Sequence, residues 1–225
     1  MSEQKQRRPY NPEATRESIL RAATELFAEH GFQGTSIQDI SQAAGYTKSM
    51  IFHYFGDKVS LYSAVVERMA TLVLPEDEVQ IVRTLLMDET TSRDLDKLTS
   101  LITTVIRGNF EILRVNLQSR RLFLWEAAEE WQTTKLLLQK FAGGGSNRFE
   151  QIIREAQAAN LIRPDLDFAV LFTFVQDSGL FYLALLPRLQ VLSQADLGSD
   201  EALRQARESL VRLVLNGIFT NISHS

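Results

Sequence analysis

Hydrophobic residues recur every three to four positions along almost the whole chain, and this spacing predicts amphipathic α-helices rather than strands. A first helix is predicted to begin at Asn11-Pro12, where a capping residue precedes a proline, and to end at Gly31. Its inner face carries apolar side chains at helical spacing: Ile19, Leu20, Ala23, Leu26 and Phe27. The chain is therefore predicted to be all-α, with about nine helices.

Two short helices are predicted to follow, joined by a glycine. Thr35 and Gln38 have the spacing of a capping box at the start of the second helix. Gly45 supplies the left-handed backbone that a tight turn needs, and Thr47 is predicted to cap a third helix that runs to about Tyr54. Two short helices joined in this way are typical of a helix-turn-helix.

A fourth helix is predicted from Asp57-Lys58 to Pro75, and six longer helical stretches follow it. They are predicted at residues 77–87, 93–116, 118–141, 147–160, 166–186 and 200–222. Polar segments, or segments rich in glycine and proline, separate them at 88–92, 143–146, 163–165 and 195–199. We therefore predict an N-terminal three-helix domain, residues 1–58, and a larger C-terminal helical domain, residues 59–225.

Charge is distributed unevenly along the chain. The formal net charge of −4 by itself argues against a nucleic-acid partner, whose phosphates favour a basic surface. The acidic excess, however, lies after residue 60, and Asp57 is the only acidic residue in the segment 41–58. Lys5, Arg7 and Arg8 form a short basic arm near the N-terminus. The first domain therefore retains a small basic surface that suits DNA.

Several short motifs coincide between residues 31 and 61. They are Gly31-Phe32, Thr35-Ser36, Ile40-Ser41, Ala44-Gly45, Phe52-His53-Tyr54-Phe55 and Lys58. In this order and spacing, the segment closely resembles the DNA-binding domain of the TetR-like (tetracycline-repressor) family. The resemblance implies a transcriptional regulator, in most cases a repressor, that binds double-stranded operator DNA as a homodimer. The sequence departs from the family at Phe52, where the family usually has tyrosine.

The third helix is the predicted DNA-recognition element, because an α-helix enters the major groove when its exposed face is polar and not acidic. Ile51 and Phe55, four residues apart, are expected to point into the domain core. This leaves an outer face of Thr47, Lys48, Ser49, Phe52 and His53. The resemblance places four further residues against phosphates, namely Ser36, Gln38, Tyr54 and Lys58. On spacing alone, Phe52 and Tyr54 fit core positions equally well.

The resemblance also implies that the second domain dimerises through its last two long helices and holds a small-molecule effector. Segment 168–186 is apolar nearly all round and segment 203–218 carries apolar residues three to four apart, which fits either a subunit interface or the core of one subunit. Candidate ligand-binding residues are Arg107, Asn109, Phe110, Trp125, Glu126, Trp131, Phe172, Gln176 and Asp177. Their aromatic content favours a hydrophobic or aromatic effector.

Other function classes find little support in the sequence. The absence of cysteine excludes disulfides and thiolate metal sites, and the three histidines lack metal-ligand spacing. We find no catalytic constellation, so we predict no enzymatic activity, no metal and no cofactor. The polar N-terminus and the Gln176-Asp177 pair within segment 168–186 predict a cytoplasmic protein without a membrane partner. A ligand-independent DNA-organising factor on the same fold remains the alternative function.

Overall fold

The computed structural model describes residues 11–71, 76–140 and 147–220. Within these ranges the chain forms eleven α-helices and one short 3-10 turn at Thr91–Arg93, which confirms the predicted all-α class. The helices are α1 (Pro12–Gly34), α2 (Ile37–Ala44), α3 (Lys48–Phe55), α4 (Lys58–Thr71), α5 (Glu76–Met87), α6 (Leu95–Val115), α7 (Leu117–Ala128), α8 (Gln132–Lys140), α9 (Asn147–Ala158), α10 (Phe168–Ser193) and α11 (Asp200–Ile218). The basic arm, Pro75 and the glycine segment 143–146 lie outside the described residues.

The helices fall into two compact units. The first comprises residues 1–71 and 121–142, and the second comprises residues 72–120 and 143–225. Helix α4, helix α8 and most of α7 thus belong with the helix-turn-helix, whereas the predicted boundary after residue 58 assigns them to the second domain. The predicted boundary after residue 58 between a DNA-binding part and an effector-binding part stays a prediction. The two compact units are divided at other residues.

The first unit is built on one hydrophobic core that joins α1 to α4. Ile19, Ile40, Ile51 and Leu61 supply one almost fully buried side chain from each of these helices. An aromatic trio completes the core: the Tyr62 ring lies edge-on to Phe27 and Phe32, with ring centroids 5.0 and 5.2 Å away. Because burying one such side chain contributes about 1.5–3 kcal/mol, this core fixes the rotation of α3 about its own axis.

The second unit is organised around α6. Its inner face is almost fully buried and consists of Leu98, Leu101, Ile102, Ile106 and Phe110. Helices α10 and α11 pack against this face. Ion pairs join α6 to α11 at the edge of the core, from Arg107 to Glu208 and from Arg207 to Glu111. Helix α10 is also long and apolar enough to cross a bilayer by length and composition, although a third of its most apolar stretch is buried inside the protein.

The capping residues of α2 differ from the prediction by one position. Ser36, not Thr35, is the N-cap, and Asp39, not Gln38, completes the capping box. The Thr35 hydroxyl instead donates to the main-chain oxygens of Leu26 and Gly31, where it is buried. Ser36 and Asp39 have the same three-residue spacing as Thr35 and Gln38. The buried hydrogen bonds of Thr35 decide which of the two pairs caps the helix. Gly31 has a φ of 71°, so the first helix kinks there and one further turn continues to Gly34.

The single helix predicted at residues 118–141 is wrong, because the chain breaks between α7 and α8. Glu130 and Trp131 adopt left-handed backbone conformations, with φ of 56° and 58°. Such conformations cost on the order of 1–3 kcal/mol at a non-glycine residue, so surrounding contacts must hold them. Neither residue is a helix breaker, and this is why the break leaves no local signal in the sequence.

Helix α10 is longer than predicted. It continues past the expected end at Leu186, contains Pro187 and closes only at Gln194, which adopts a left-handed conformation. Proline removes one backbone donor but does not by itself end a helix when the flanking turns remain favourable. The other predicted breaks, at 163–165 and 195–199, are confirmed by the starts of α10 and α11.

Candidate nucleic-acid interface

The start of α2 is shaped by a reciprocal pair of hydrogen bonds. The Ser36 main-chain N–H donates to Asp39 Oδ2 at 3.0 Å, and the Asp39 N–H donates to Ser36 Oγ at 3.1 Å. Hydrogen bonds from the Ser36 side chain and main chain hold the pKa of Asp39 below its ordinary value, so Asp39 stays charged. Ser36 and Gln38, two of the predicted phosphate contacts, are both exposed here. The Ser36 hydroxyl is engaged with Asp39.

The turn between α2 and α3 is fixed by local hydrogen bonds. Gly45 adopts a left-handed conformation with φ of 74°, and its N–H donates to Ser41 O at 3.1 Å. The Ser41 hydroxyl crosses the turn to Tyr46 O at 2.6 Å. Thr47 then caps α3 by accepting from the Met50 N–H, as predicted. Glycine is needed at residue 45 because a side chain there would strain the left-handed backbone.

The two faces of α3 divide as the sequence predicts. Ile51 and Phe55 are buried in the core of the first unit, at 1% and 9% exposure. The outer face exposes Thr47, Lys48, Ser49, Phe52 and His53. Phe52 is 46% exposed, so it is not a core aromatic. Since segment 41–56 contains no carboxylate, the exposed face of α3 carries only polar, aromatic and basic side chains.

Tyr54 and Lys58 are less exposed than the residues of the outer face. Tyr54 is half-buried, with its ring edge-on to His53. The Lys58 ammonium lies 4.2 Å from the centroid of the Phe32 ring, a cation–π contact within the first unit. Burial lowers the pKa of Lys58, and the negative charge of Glu129 opposes this shift. The predicted phosphate contacts of Tyr54 and Lys58 stay predictions, and Lys58 also has a packing role.

Comparison with known proteins decides the family. The family profile described as "Bacterial regulatory proteins, tetR family" matches residues 19–65, which include α2, α3 and the first half of α4. A second profile, "Tetracyclin repressor-like, C-terminal domain", matches residues 99–214, more than half of the chain. The chain belongs to the tetR family. Both the predicted family and the predicted class of DNA-binding transcriptional regulator are thereby confirmed.

Individual relatives in the tetR family resemble the chain over different lengths. The HTH-type transcriptional repressor AcnR of Corynebacterium glutamicum is 37% identical over 81 residues, covering 34% of this chain and 43% of that repressor. The chain thus aligns with less than half of the length of AcnR. The HTH-type transcriptional regulator RutR of Escherichia coli K12 is 25% identical over 209 residues, and the alignment covers 91% of both proteins.

Solved structures of other transcriptional regulators share the fold of the chain. HlyIIR, a hemolysin II transcriptional regulator, superposes with a TM-score of 0.60 at 18% identity, covering 94% of this chain and 100% of HlyIIR. NalD of Pseudomonas aeruginosa, described as the secondary repressor of the MexAB-OprM multidrug efflux pump, has the same TM-score at 22% identity, with the same coverage. At these identities the similarity concerns the fold alone.

The predicted ligand-binding residues do not form one cluster. Trp125, Glu126 and Trp131 belong to the first unit, with the helix-turn-helix. The Glu126 carboxylate is buried and accepts hydrogen bonds from Tyr62 and Thr134, so its oxygens are occupied by the chain itself. The Trp131 ring packs edge-on against Phe123. Tyr62 could not be recognised from the sequence as the partner of Glu126, because the two residues are far apart in sequence and neither lies in a recognisable motif.

The remaining ligand-binding candidates lie in the second unit. Arg107 is paired with Glu208, Phe110 is fully buried in the core, and Phe172 packs against the rings of Phe149 and Phe168. Gln176 accepts a hydrogen bond from the Asn109 amide. Asp177 is half-buried and has no hydrogen-bond partner among the described residues, and burial raises its pKa. Its role in ligand binding stays a prediction.

Proposed function

We propose that the chain is a transcriptional repressor that binds a palindromic operator as a homodimer and leaves it when a small-molecule effector binds. The outer face of α3 carries the proposal. Lys48 can donate to guanine in the major groove, and the exposed Phe52 ring suits a thymine methyl group. Phe52 lacks the hydroxyl that tyrosine has in most of the family, so its contact is expected to be apolar.

Pairing of two copies is supported by the outer faces of the last two helices. Phe174 and Phe181 on α10 are 53% and 58% exposed, and Leu213 on α11 is 66% exposed. Phe174 and Phe181 are seven residues apart and so lie on one face of the helix. Apolar surface of this kind marks an interaction site, and a two-fold pairing of this chain would bury it symmetrically.

The effector is the least constrained part of the proposal. The second unit is rich in apolar and aromatic side chains, which favours a hydrophobic or aromatic molecule, and Asp177 offers a carboxyl group to orient it. We place the action of the protein in the cytoplasm on double-stranded DNA, without cofactor or enzymatic activity.

Selection of duplexes from a random library by the purified full chain tests operator binding. An inverted repeat should be enriched, because a symmetric dimer presents the same helix to each half-site. Failure to enrich any sequence at low salt would contradict the proposal. The selected duplex, labelled for fluorescence anisotropy, then serves to search for the effector among aromatic and fatty-acid-like compounds.

A true effector should raise the melting temperature saturably and release the labelled duplex at matching concentrations. Operator binding that no compound in such a panel weakens or stabilises would favour the ligand-independent DNA-organising factor.

A further inference from the structure

The break between α7 and α8 belongs to the same compact unit as the recognition helix. We call residues 126–134, from the end of α7 to the start of α8, the elbow. Its first residue is Glu126, which is only 7% exposed. A buried carboxylate is unfavourable unless hydrogen-bond donors surround it, so the donors around Glu126 indicate what it holds together.

Glu126 binds three parts of the unit at once. Its Oε1 accepts a hydrogen bond from the Tyr62 hydroxyl of α4 at 2.8 Å. Its Oε2 accepts from the Thr134 N–H at 3.0 Å and from the Thr134 hydroxyl at 2.9 Å, which places a negative charge at the first turn of α8. Its main-chain oxygen accepts from the N–H of Trp131 at 2.8 Å. Through these hydrogen bonds, Glu126 ends α7, caps the start of α8 and links both helices to α4.

Tyr62 carries this connection into the core beneath the recognition helix. It is 1% exposed, and its ring packs edge-on against Phe27 and Phe32 of α1. These rings lie in the same hydrophobic core as Ile51 and Phe55, the inward residues of α3. Burial and the hydrogen bond to Glu126 raise the pKa of Tyr62, so its hydroxyl remains a donor at neutral pH.

We propose that Glu126 is a positioning residue for DNA binding. Through Tyr62 it holds α4 against α1, and this core sets the orientation in which α3 meets the major groove. The inference rests on the proposed operator binding. In this role the elbow supports DNA binding without itself contacting DNA or effector.

Tyr62→Phe is the sharpest test, because it removes the donor and keeps the buried ring. Thr24→Val is the control: Thr24 is 4% exposed in the same unit, and its hydroxyl donates to Leu20 O of its own helix. Each variant loses one buried hydrogen bond, but Tyr62→Phe also leaves Glu126 Oε1 without this donor and should lose more stability. Urea unfolding of both variants therefore measures the loss of stability against which each change in affinity is compared. Only Tyr62→Phe should lower affinity for the selected operator, by about tenfold, while affinity for random duplex changes less.

The two tryptophans of the chain, Trp125 and Trp131, flank Glu126, so tryptophan emission reports on the elbow without a label. Tyr62→Phe and Glu126→Gln should shift this emission, and Thr24→Val should not. Glu126→Gln leaves one acceptor oxygen for the donors of Tyr62 and Thr134, and Tyr62→Phe removes one of these donors. Because both variants change the same set of hydrogen bonds, their effects on operator affinity should be less than additive in the double variant.

The outcomes separate the inference from the proposed function. If the wild-type chain selects no operator, both fail. If it binds operator and Tyr62→Phe binds equally well, the positioning role is wrong and operator binding stands. Equal loss of operator affinity in Thr24→Val at equal loss of stability would also overturn the inference, since it would show a general effect of destabilisation. If Tyr62→Phe does not fold, Glu126→Gln is measured against the same control.

Discussion

Gly179 of α10 packs directly against Phe110 of α6. A Cβ atom at residue 179 would lie 3.2 Å from the Phe110 Cα and 3.2 Å from its ring. Such distances are shorter than normal van der Waals contact between carbon atoms, and Phe110 is fully buried, so a side chain at residue 179 would require α6 or the Phe110 ring to shift. The two helices therefore approach each other closely at this point because residue 179 has no side chain.

Gly179→Ala should destabilise the second unit by about 1–3 kcal/mol, the usual cost of overpacking a core. Gly217→Ala on α11 is the matched control, because nothing lies within 4 Å of a Cβ at that residue. It should stabilise the protein by about 0.5–1 kcal/mol through helix propensity alone. Urea unfolding of both variants measures the difference. Stabilisation by both substitutions would show that the α6–α10 contact can relax.

Lys48→Ala should remove a base contact without changing the fold, since Lys48 is exposed in the first turn of α3. We expect operator affinity to fall by roughly ten- to a hundredfold, in line with about 1–3 kcal/mol for one such contact. Lys135→Ala, at an exposed lysine of α8 in the same unit, should leave affinity unchanged. Anisotropy with operator and random duplexes separates the two effects, and an equal loss on both duplexes would make Lys48 a phosphate contact.

Leu213→Glu should dissociate the dimer and leave each subunit folded, because Leu213 is exposed on α11 while Val211 and Val214 of the same helix fill the core. The added charge would be buried in the proposed interface without a partner. Sedimentation velocity should show a monomer with unchanged helical content by circular dichroism. Val191→Glu, at a similarly exposed residue near the end of α10, is the comparison. A dimer that survives Leu213→Glu would place the interface elsewhere.

The carboxyl group of Asp177 should make the stability of the second unit pH-dependent. Burial raises its pKa above the ordinary value of 3.8, so the folded chain holds this proton more tightly than the unfolded chain. The stability that this bound proton contributes is fully present below the pKa that Asp177 has in the unfolded chain. It is lost as the pH rises through the pKa that Asp177 has in the folded chain. Asp177→Asn should therefore gain stability relative to wild type between pH 4 and pH 7, measured by thermal unfolding.

Glu89→Gln, a change at an exposed carboxylate of the same unit, controls for net charge in this experiment. Its melting temperature should follow that of wild type across the same pH range. If the melting temperature of Asp177→Asn also follows that of wild type, the Asp177 carboxylate is solvated in solution and its burial in the folded chain has no energetic effect.

Sequence patterns were sufficient for the parts of the molecule that depend on neighbouring residues. The N-cap at Asn11, the turn at Gly45 and the inward positions of Ile51 and Phe55 follow from spacing and glycine chemistry, and the structure confirms them. They could be predicted because a helix and its caps are determined within a few residues.

Features that depend on distant residues could not be predicted. The break at Glu130-Trp131 is held in part by Glu126, whose carboxylate is satisfied by Tyr62, and no local pattern links these residues. The capping of α2 by Ser36 depends on where the Thr35 hydroxyl finds buried acceptors. The same non-local packing explains why the ligand-binding candidates on α7 and near α8 lie with the DNA-binding unit.

Pro187 also divides α10 into two parts of different stability. Proline leaves the main-chain oxygen of Leu183 without its helical donor, and beyond it Val191 and Leu192 are 79% and 68% exposed. The last turns of α10 thus have one backbone hydrogen bond fewer and little tertiary packing to hold them. Amide hydrogens after Pro187 are accordingly expected to exchange with solvent through local opening, while those of the preceding turns exchange only when the whole unit unfolds.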